Sequence, residues 1–217
     1  MRRKTKHKRF SFRLSNRALG FLLAGAVLLS LPFFLTHGVY TGQILAADAR
    51  MQPPFDKSLV LLTRHGFGGT MGVVLNKPLS GAERQKLSRF LRDTDIPVFY
   101  GGPLGSFEKI LVLEQKPQAS GDARFELKDW DEAVRAAPDL LTTIRRSLQR
   151  GETRYKIFTG FAGWAPFQLE AELHLHKLWQ VVAPTPDLIF HAVGPAPWEK
   201  IEKQEKEKQQ LRKSKQT

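Results

Sequence analysis

Apolar positions along this chain fall into three patterns. The first is one uninterrupted run, residues 18–35, eighteen positions without a charge. At ~1.5 Å rise per residue such a helix is roughly 27 Å long, close to the hydrocarbon thickness of a bilayer. The second pattern is a set of short dense runs bounded by Gly and Pro. Residues 58–63 (Ser-Leu-Val-Leu-Leu-Thr) are too continuously apolar for a half-exposed strand. Similar runs at 42–47, 71–76, 97–100, 110–113, 124–127, 155–159 and 187–191 are read as further strands. The third pattern is helical spacing. Leu87, Phe90 and Leu91 follow a capping-box sequence at Ser80 and Glu83. Leu141, Ile144 and Leu148 follow Pro138 and stop before Gly151. A third helix leaves the glycine-tryptophan junction at 160–172 and runs to about Trp179. Hairpin-like strand pairs without strict βαβ alternation predict an α+β domain with a mixed or antiparallel sheet.

Charge changes the reading of both ends. Residues 1–17 hold eight basic side chains and no acid, and 199–217 hold seven basic and four acidic ones. The body between them keeps 19 basic against 17 acidic residues, so the overall +13 belongs mostly to the termini. A near-neutral body argues against a nucleic-acid-binding domain, which would carry its basic patch on the folded part. The basic block before the apolar run predicts a cytoplasmic N-terminus and a single-pass anchor in a bacterial inner membrane, with the main domain outside. A cleaved signal peptide competes, because Ala47-Asp48-Ala49 loosely fits a small-x-small cleavage rule. The run is long for a signal peptide, which favours an uncleaved anchor at 18–35. The Lys/Glu/Gln-rich tail has helical salt-bridge spacing at Glu199/Lys203 and Glu202/Lys206, and is expected to be a solvated, frayed helix or disordered.

Candidate chemistry is sparse. No cysteine is present, which excludes disulfides, thiolate catalysis and Cys-ligated zinc. His174 and His176 are two apart, a spacing that cannot clamp one metal from a helix, and H-E-x-x-H is absent. His65-Gly66-Phe67-Gly68-Gly69 lacks the Gly-Lys-Ser/Thr of a phosphate loop and reads as a hairpin turn. No G-x-S-x-G nucleophile elbow exists. Gly101-Gly102-Pro103 marks a sharp turn or a close backbone approach, with packing the more economical cause. Trp164 fits a core anchor better than a ligand-facing aromatic. The start of the following helix, near 166–168, is the best anion or polar-ligand position by local rules. The residues carried forward as ligand-binding candidates are His65, Asn76, Gly101, Gly102, Gly160, Gly163, Trp164 and Gln168. No catalytic residue, metal or cofactor is assigned.

Several blocks together resemble the YqgE/AlgH family of bacterial proteins. Residues 69–79, Gly-Thr-Met-Gly-Val-Val-Leu-Asn-Lys-Pro-Leu, match its G-x-M-G-x-x-x-N-[KR]-P-L pattern. Residues 55–62 followed by His65 are similar to its opening strand, Gly101-Gly102-Pro103 to its G-G-P turn, and 160–172 to its G-Y-A-G-W-x-x-x-Q-L-E-x-E block with Phe161 for Tyr. Trp179 and Ala183-Pro184 follow in order. The resemblance covers about 41–198. It implies a compact bent sheet or small barrel flanked by helices, and it carries over no catalytic residues. The alanines that imitate a cleavage site fall inside the family's first strand, so the resemblance supports an uncleaved anchor. Departures include the anchor itself, Pro53-Pro54 for Asp-Pro, Arg64 for an acidic residue before His65, and the charged tail. The expected function is a membrane-anchored, non-enzymatic binding or regulatory module with an unidentified protein partner. A transcription-linked regulator, as some members are labelled, and a cryptic hydrolase are the alternatives.

Overall fold

The computed structural model describes residues 40–116 and 124–215. The basic segment 1–17 and the expected anchor 18–35 lie outside the described residues. Among the described residues no helix is long and apolar enough to cross a membrane.

Among the described residues nine strands form two sheets. The first has the order β8-β3-β2-β1-β9, built from β1 (Ile44–Ala47), β2 (Leu59–Gly66), β3 (Gly69–Val74), β8 (Ala162–Trp164) and β9 (Trp179–Val182), all antiparallel. The second has the order β4-β7-β5-β6, from β4 (Val98–Tyr100), β5 (Ile110–Lys116), β6 (Arg124–Asp129) and β7 (Tyr155–Thr159). Its β4–β7 pair is parallel and its other pairs antiparallel. Isolated bridges pair Pro78 with Phe99 and Leu104 with Phe161, outside the regular ladders. The fold is therefore mixed α+β, with the two sheets sharing one core.

The continuous apolar runs are explained by burial on both strand faces. Along β2, Leu59 and Leu61 enter a core between the sheets with Ile44, Leu75, Leu113 and Phe158. Val60 and Leu62 face the other way, into a cluster with Trp164, Leu169 and Trp179. On the second sheet Val112 and Ile157 pack outward against Trp130, Leu140 and Ile144 of the helices α3 (Trp130–Ala136) and α4 (Leu140–Gln149). A strand buried on both faces has no polar face to show, so alternation is lost from the sequence.

Several expectations are corrected. The helix after Ser80 has its capping box, with both reciprocal bonds formed, but α1 (Gly81–Arg84) is one turn long and a separate turn, α2 (Arg89–Arg92), follows. Arg84 holds the pieces together by donating to the carbonyls of Leu91, Arg92, Thr94 and Ile96. The strand expected at 187–191 is a π-helical turn, Asp187–His191, because Thr185 accepts from the Leu188 amide and Pro186 precedes it. The helix leaving the junction is α5 (Gln168–Glu170), which widens into a π-helical stretch, Ala171–Leu175. It ends before Trp179, which begins an unforeseen strand. Helix α3 was also unforeseen, although Asp129 caps it by accepting from the Asp131 amide. The tail is α6 (Ala196–Ser214), largely solvated, but docked at its start. The buried Trp198 indole donates to the Ala47 carbonyl at 2.7 Å and Lys57 pairs with Glu199 at 2.9 Å. Lys206 pairs with Glu202 as the spacing predicts.

Candidate functional site

The eight candidate residues do not converge on one place; the fold distributes them over three neighbourhoods. The first is a seam of backbone against backbone. A Cβ on Gly102 would sit 2.2 Å from the Phe161 carbonyl carbon, and one on Gly160 would sit 2.4 Å from the Gly102 oxygen. Both residues hold positive φ, +149° and +71°. Gly101 meets the Gly160 carbonyl in the same way, and Gly163 lies under Leu104. The two glycine turns thus occupy each other's side-chain space. Reciprocal Leu104 and Phe161 amide–carbonyl bonds, 3.0 and 2.9 Å, lock the crossing. None of the four glycines lines the larger clefts of the described residues.

The second neighbourhood is an aromatic corner. Trp164 and Trp179 are 6% and 5% exposed, cross edge to face at 5.8 Å, and share Phe55 as a neighbour. Both indole nitrogens donate to Glu172 Oε2, at 2.9 and 2.7 Å. Gln168 donates to Oε1 of the same carboxylate at 2.8 Å, and its own oxygen accepts from the Ala165 amide at 3.0 Å. The helix start at 166–168 has no side-chain cap; Gln168 instead ties the preceding Ala165 amide to Glu172. One carboxylate with three donors ties β8, α5 and β9 together. Replacing it by Glu172→Gln sets an amide hydrogen against a donor. The expected cost is about 1–2 kcal/mol, seen as a lower melting temperature and red-shifted tryptophan emission. An unchanged melt would show that the carboxylate is not the tie.

Beside this corner lies His65, whose side chain is 3% exposed. Its Nε2 is 3.3 Å from Glu170 Oε1, and its Nδ1 is 2.8 Å from Thr70 Oγ1. With an ionised Glu170, the Nε2 hydrogen turns to the carboxylate and Nδ1 accepts the Thr70 hydroxyl proton. Hydroxyl, imidazole and carboxylate are in the order used to activate a nucleophile. Tyr40 crosses the imidazole at 5.3 Å and bonds His174 at 3.2 Å. Burial first, and the Glu170 charge second, push the Tyr40 phenol above its ordinary pKa. Yet Thr70 is only 5% exposed, and neither it nor His65 lines any of the clefts described here. Among the described residues no group of three or more His, Asp or Glu side chains could hold a metal ion.

The third neighbourhood contains Asn76, 1% exposed. Its oxygen accepts from the Leu59 amide at 2.9 Å, and its nitrogen donates to the Lys57 and Gly194 carbonyls at 2.9 and 2.8 Å. Asn76 staples three chain segments and forms part of a cleft of about 710 Å³. The cleft is walled by Pro53, Pro54, Lys57, Lys77, Glu83 and Tyr100. Lys77 is held across it, donating to the Pro54 carbonyl at 2.8 Å and to Asp56 at 2.7 Å. Hydrogen bonds from Ser80 hold the Glu83 carboxyl below its ordinary pKa. Burial above all raises the Tyr100 phenol. The chemistry-bearing walls were missed in the sequence, although Lys77 stands in the Asn-Lys-Pro-Leu motif.

One further group gave no sequence signal. Lys156 alternates into the core and is 3% exposed. Its ammonium donates to the Ile189 and Ala192 carbonyls at 3.1 and 3.0 Å and stands 4.1 Å over the Phe99 ring. It caps the π-helical turn whose helicity the sequence concealed. Burial lowers its pKa to about 7. The folded protein therefore sheds this proton near neutrality, whereas the unfolded chain keeps it to about pH 10. Between those values unfolding takes up a proton, so stability from this group rises with pH. Wild-type protein is expected to gain a few kcal/mol relative to Lys156→Met between pH 7 and 10, read from chemical denaturation. A pH-independent difference would refute it.

A family model described as AlgH-like matches residues 44–209, so the match extends into the tail helix. A UPF0301 protein of Ruegeria pomeroyi is 32% identical over 171 residues, covering 73% of this chain and 88% of the relative. One from Vibrio parahaemolyticus is 28% identical, covering 74% and 88%. The solution structure of AlgH from Pseudomonas aeruginosa is similar with a TM-score of 0.47 at 22% identity, covering 70% of this chain and 80% of that one. The crystal structure of a Corynebacterium diphtheriae protein scores 0.49 at 20% identity, covering 71% and 81%.

Proposed function

From the premise that the chain belongs to the AlgH-like family, we propose that it is a membrane-tethered, non-enzymatic binding module whose working surface is the cleft around Lys77 and Tyr100. The observation that carries this reading is the contrast between neighbourhoods. The hydroxyl–imidazole–carboxylate chain at Thr70, His65 and Glu170 is enclosed, whereas the open cleft of about 710 Å³ presents Lys57, Lys77, Glu83 and Tyr100 on a stapled floor. A concave site with a few fixed polar groups suits ligand or peptide capture. The tether rests on the uncharged run 18–35 behind eight basic residues.

Two experiments test it. A reporter enzyme fused after residue 217 is expected to be active outside the cytoplasm; activity only inside would overturn the outward topology. A photo-crosslinking side chain at position 57 is expected to give a discrete adduct that Tyr100→Phe weakens, with none from exposed position 211. Identical adducts from both positions would remove the cleft from the reading. The hydrolase-like alternative is favoured only by the Thr70–His65–Glu170 order. It requires a path for substrate to Thr70, and esterase activity abolished by Thr70→Val at unchanged melting temperature would establish it.

A further inference from the structure

A second cleft, of about 550 Å³, runs between strands of the two sheets. Its walls are apolar: Leu61 and Met71 from the first sheet, Leu111, Leu113, Phe125 and Leu127 from the second. Its rim is cationic. Arg64, Lys109 and Lys128 line it, against Asp129 as its single acid. Lys109 is neutralised by Asp129 and Lys128 by Glu126, but Arg64 is exposed and has no ion-pair or hydrogen-bond partner among the described residues.

A β-bulge places that guanidinium. Leu61 faces Val73 and Leu62 faces Gly72 in regular register, then the ladder slips and Arg64, not Thr63, stands opposite Met71. Directly opposed residues share a face of the sheet. Met71 packs on the inter-sheet core, so the extra residue turns Arg64 from the outer face to the cleft face. Thr63 is held in the slip, its hydroxyl donating to the Met71 carbonyl at 3.2 Å. Bulges of this kind re-aim a side chain at a site.

We propose that this cleft binds a long-chain fatty acid, with its alkyl chain between the sheets and its carboxylate on Arg64. Apolar walls ending in one uncompensated guanidinium complement a single-chain anionic amphiphile, and a planar fork of donors matches a carboxylate. The volume falls within the ~300–1,000 Å³ usual for small-molecule sites. Thr41 and Gly42 also line the cleft. The availability of a membrane-derived ligand, though not the site, rests on the tether proposed above.

The test uses the full chain in nanodiscs and a diazirine-bearing sixteen-carbon carboxylate as probe. Photolabelling is expected on the peptides that carry Leu111–Leu113 and Phe125–Leu127, competed by unlabelled palmitate. Arg64→Glu, at an exposed position, is expected to leave the melting temperature unchanged and to weaken labelling about tenfold. The matching fatty alcohol should label as weakly in wild-type protein as the acid does in the variant. Labelling confined to other peptides, or equal labelling by acid and alcohol in both proteins, would overturn the proposal. A bulky change inside the cleft, Leu127→Trp, should block labelling without touching the charge; undiminished labelling there would also count against it. The reporter fused after residue 217 reads the tether separately, so failure of one reading leaves the other standing.

Discussion

Gly102→Ala is expected to leave the domain unfolded at ordinary temperature. The added methyl would sit 2.2 Å from a carbonyl carbon and 2.4 Å from both Ala162 N and Phe161 O, all backbone atoms with no rotamer to escape into. The φ of +149° adds strain for any side chain. Neither the Gly101–Gly102 turn nor the Gly160–Phe161 turn can retreat, because the Gly101 amide donates to the Thr159 carbonyl and the Val74 amide to the Gly101 carbonyl, each at 2.8 Å. A loss of more than about 4 kcal/mol is expected, the range reserved for backbone incompatibility or large core defects. Gly81→Ala is the control. Nothing lies within 4 Å of its Cβ and it stands in a helical turn, so it should be neutral or stabilising by up to ~1 kcal/mol. Far-ultraviolet circular dichroism with thermal melting separates the two; a Gly102→Ala protein that melts like wild type would refute the seam.

The second large effect belongs to Asn76. Asn76→Ala removes three hydrogen bonds at once, leaving the buried Leu59 amide without a partner and freeing the part-buried Lys57 and Gly194 carbonyls. Each orphaned group costs ~1–3 kcal/mol, so a total of roughly 3–5 kcal/mol is expected. Asn76→Asp should be no better, because a carboxylate would face the Lys57 and Gly194 carbonyls where two N–H groups now point. The loss is expected in protein with nothing bound, measured by urea unfolding. A normal melt combined with lost binding would instead make Asn76 a ligand contact.

These two residues show how the sequence could mislead about function. Gly102 and Asn76 were singled out because their types and spacing are demanding, and the demand comes from the chain itself. Gly101, Gly160, Gly163, Trp164 and Gln168 are likewise engaged by backbone or by Glu172. A motif records that a position is constrained, but the constraint looks the same from the sequence when the partner is a strand and when it is a ligand. The residues that wall the open cleft, Lys57, Lys77, Glu83 and Tyr100, are ordinary surface types and carry no local signal.

What the sequence determined by itself was the class of fold and the family. Dense runs and helix caps are local properties, and so β1 to β7, the helix after Pro138 and the Ser80 cap could be placed from residues a few positions apart. The block order from Gly69 to Trp179 sufficed for family membership. Only the tertiary structure decided the rest. The apolar triplet Leu188-Ile189-Phe190 satisfies strand and helix equally, and the choice falls to Thr185 at one end and Lys156, thirty-odd residues earlier, at the other. Trp179 becomes a strand residue because Ala47 offers it an edge. The bulge that turns Arg64 into a cleft is a mismatch between two strands, a property of neither alone. Whatever depends on which distant backbone or charge arrives beside a residue was decided in three dimensions.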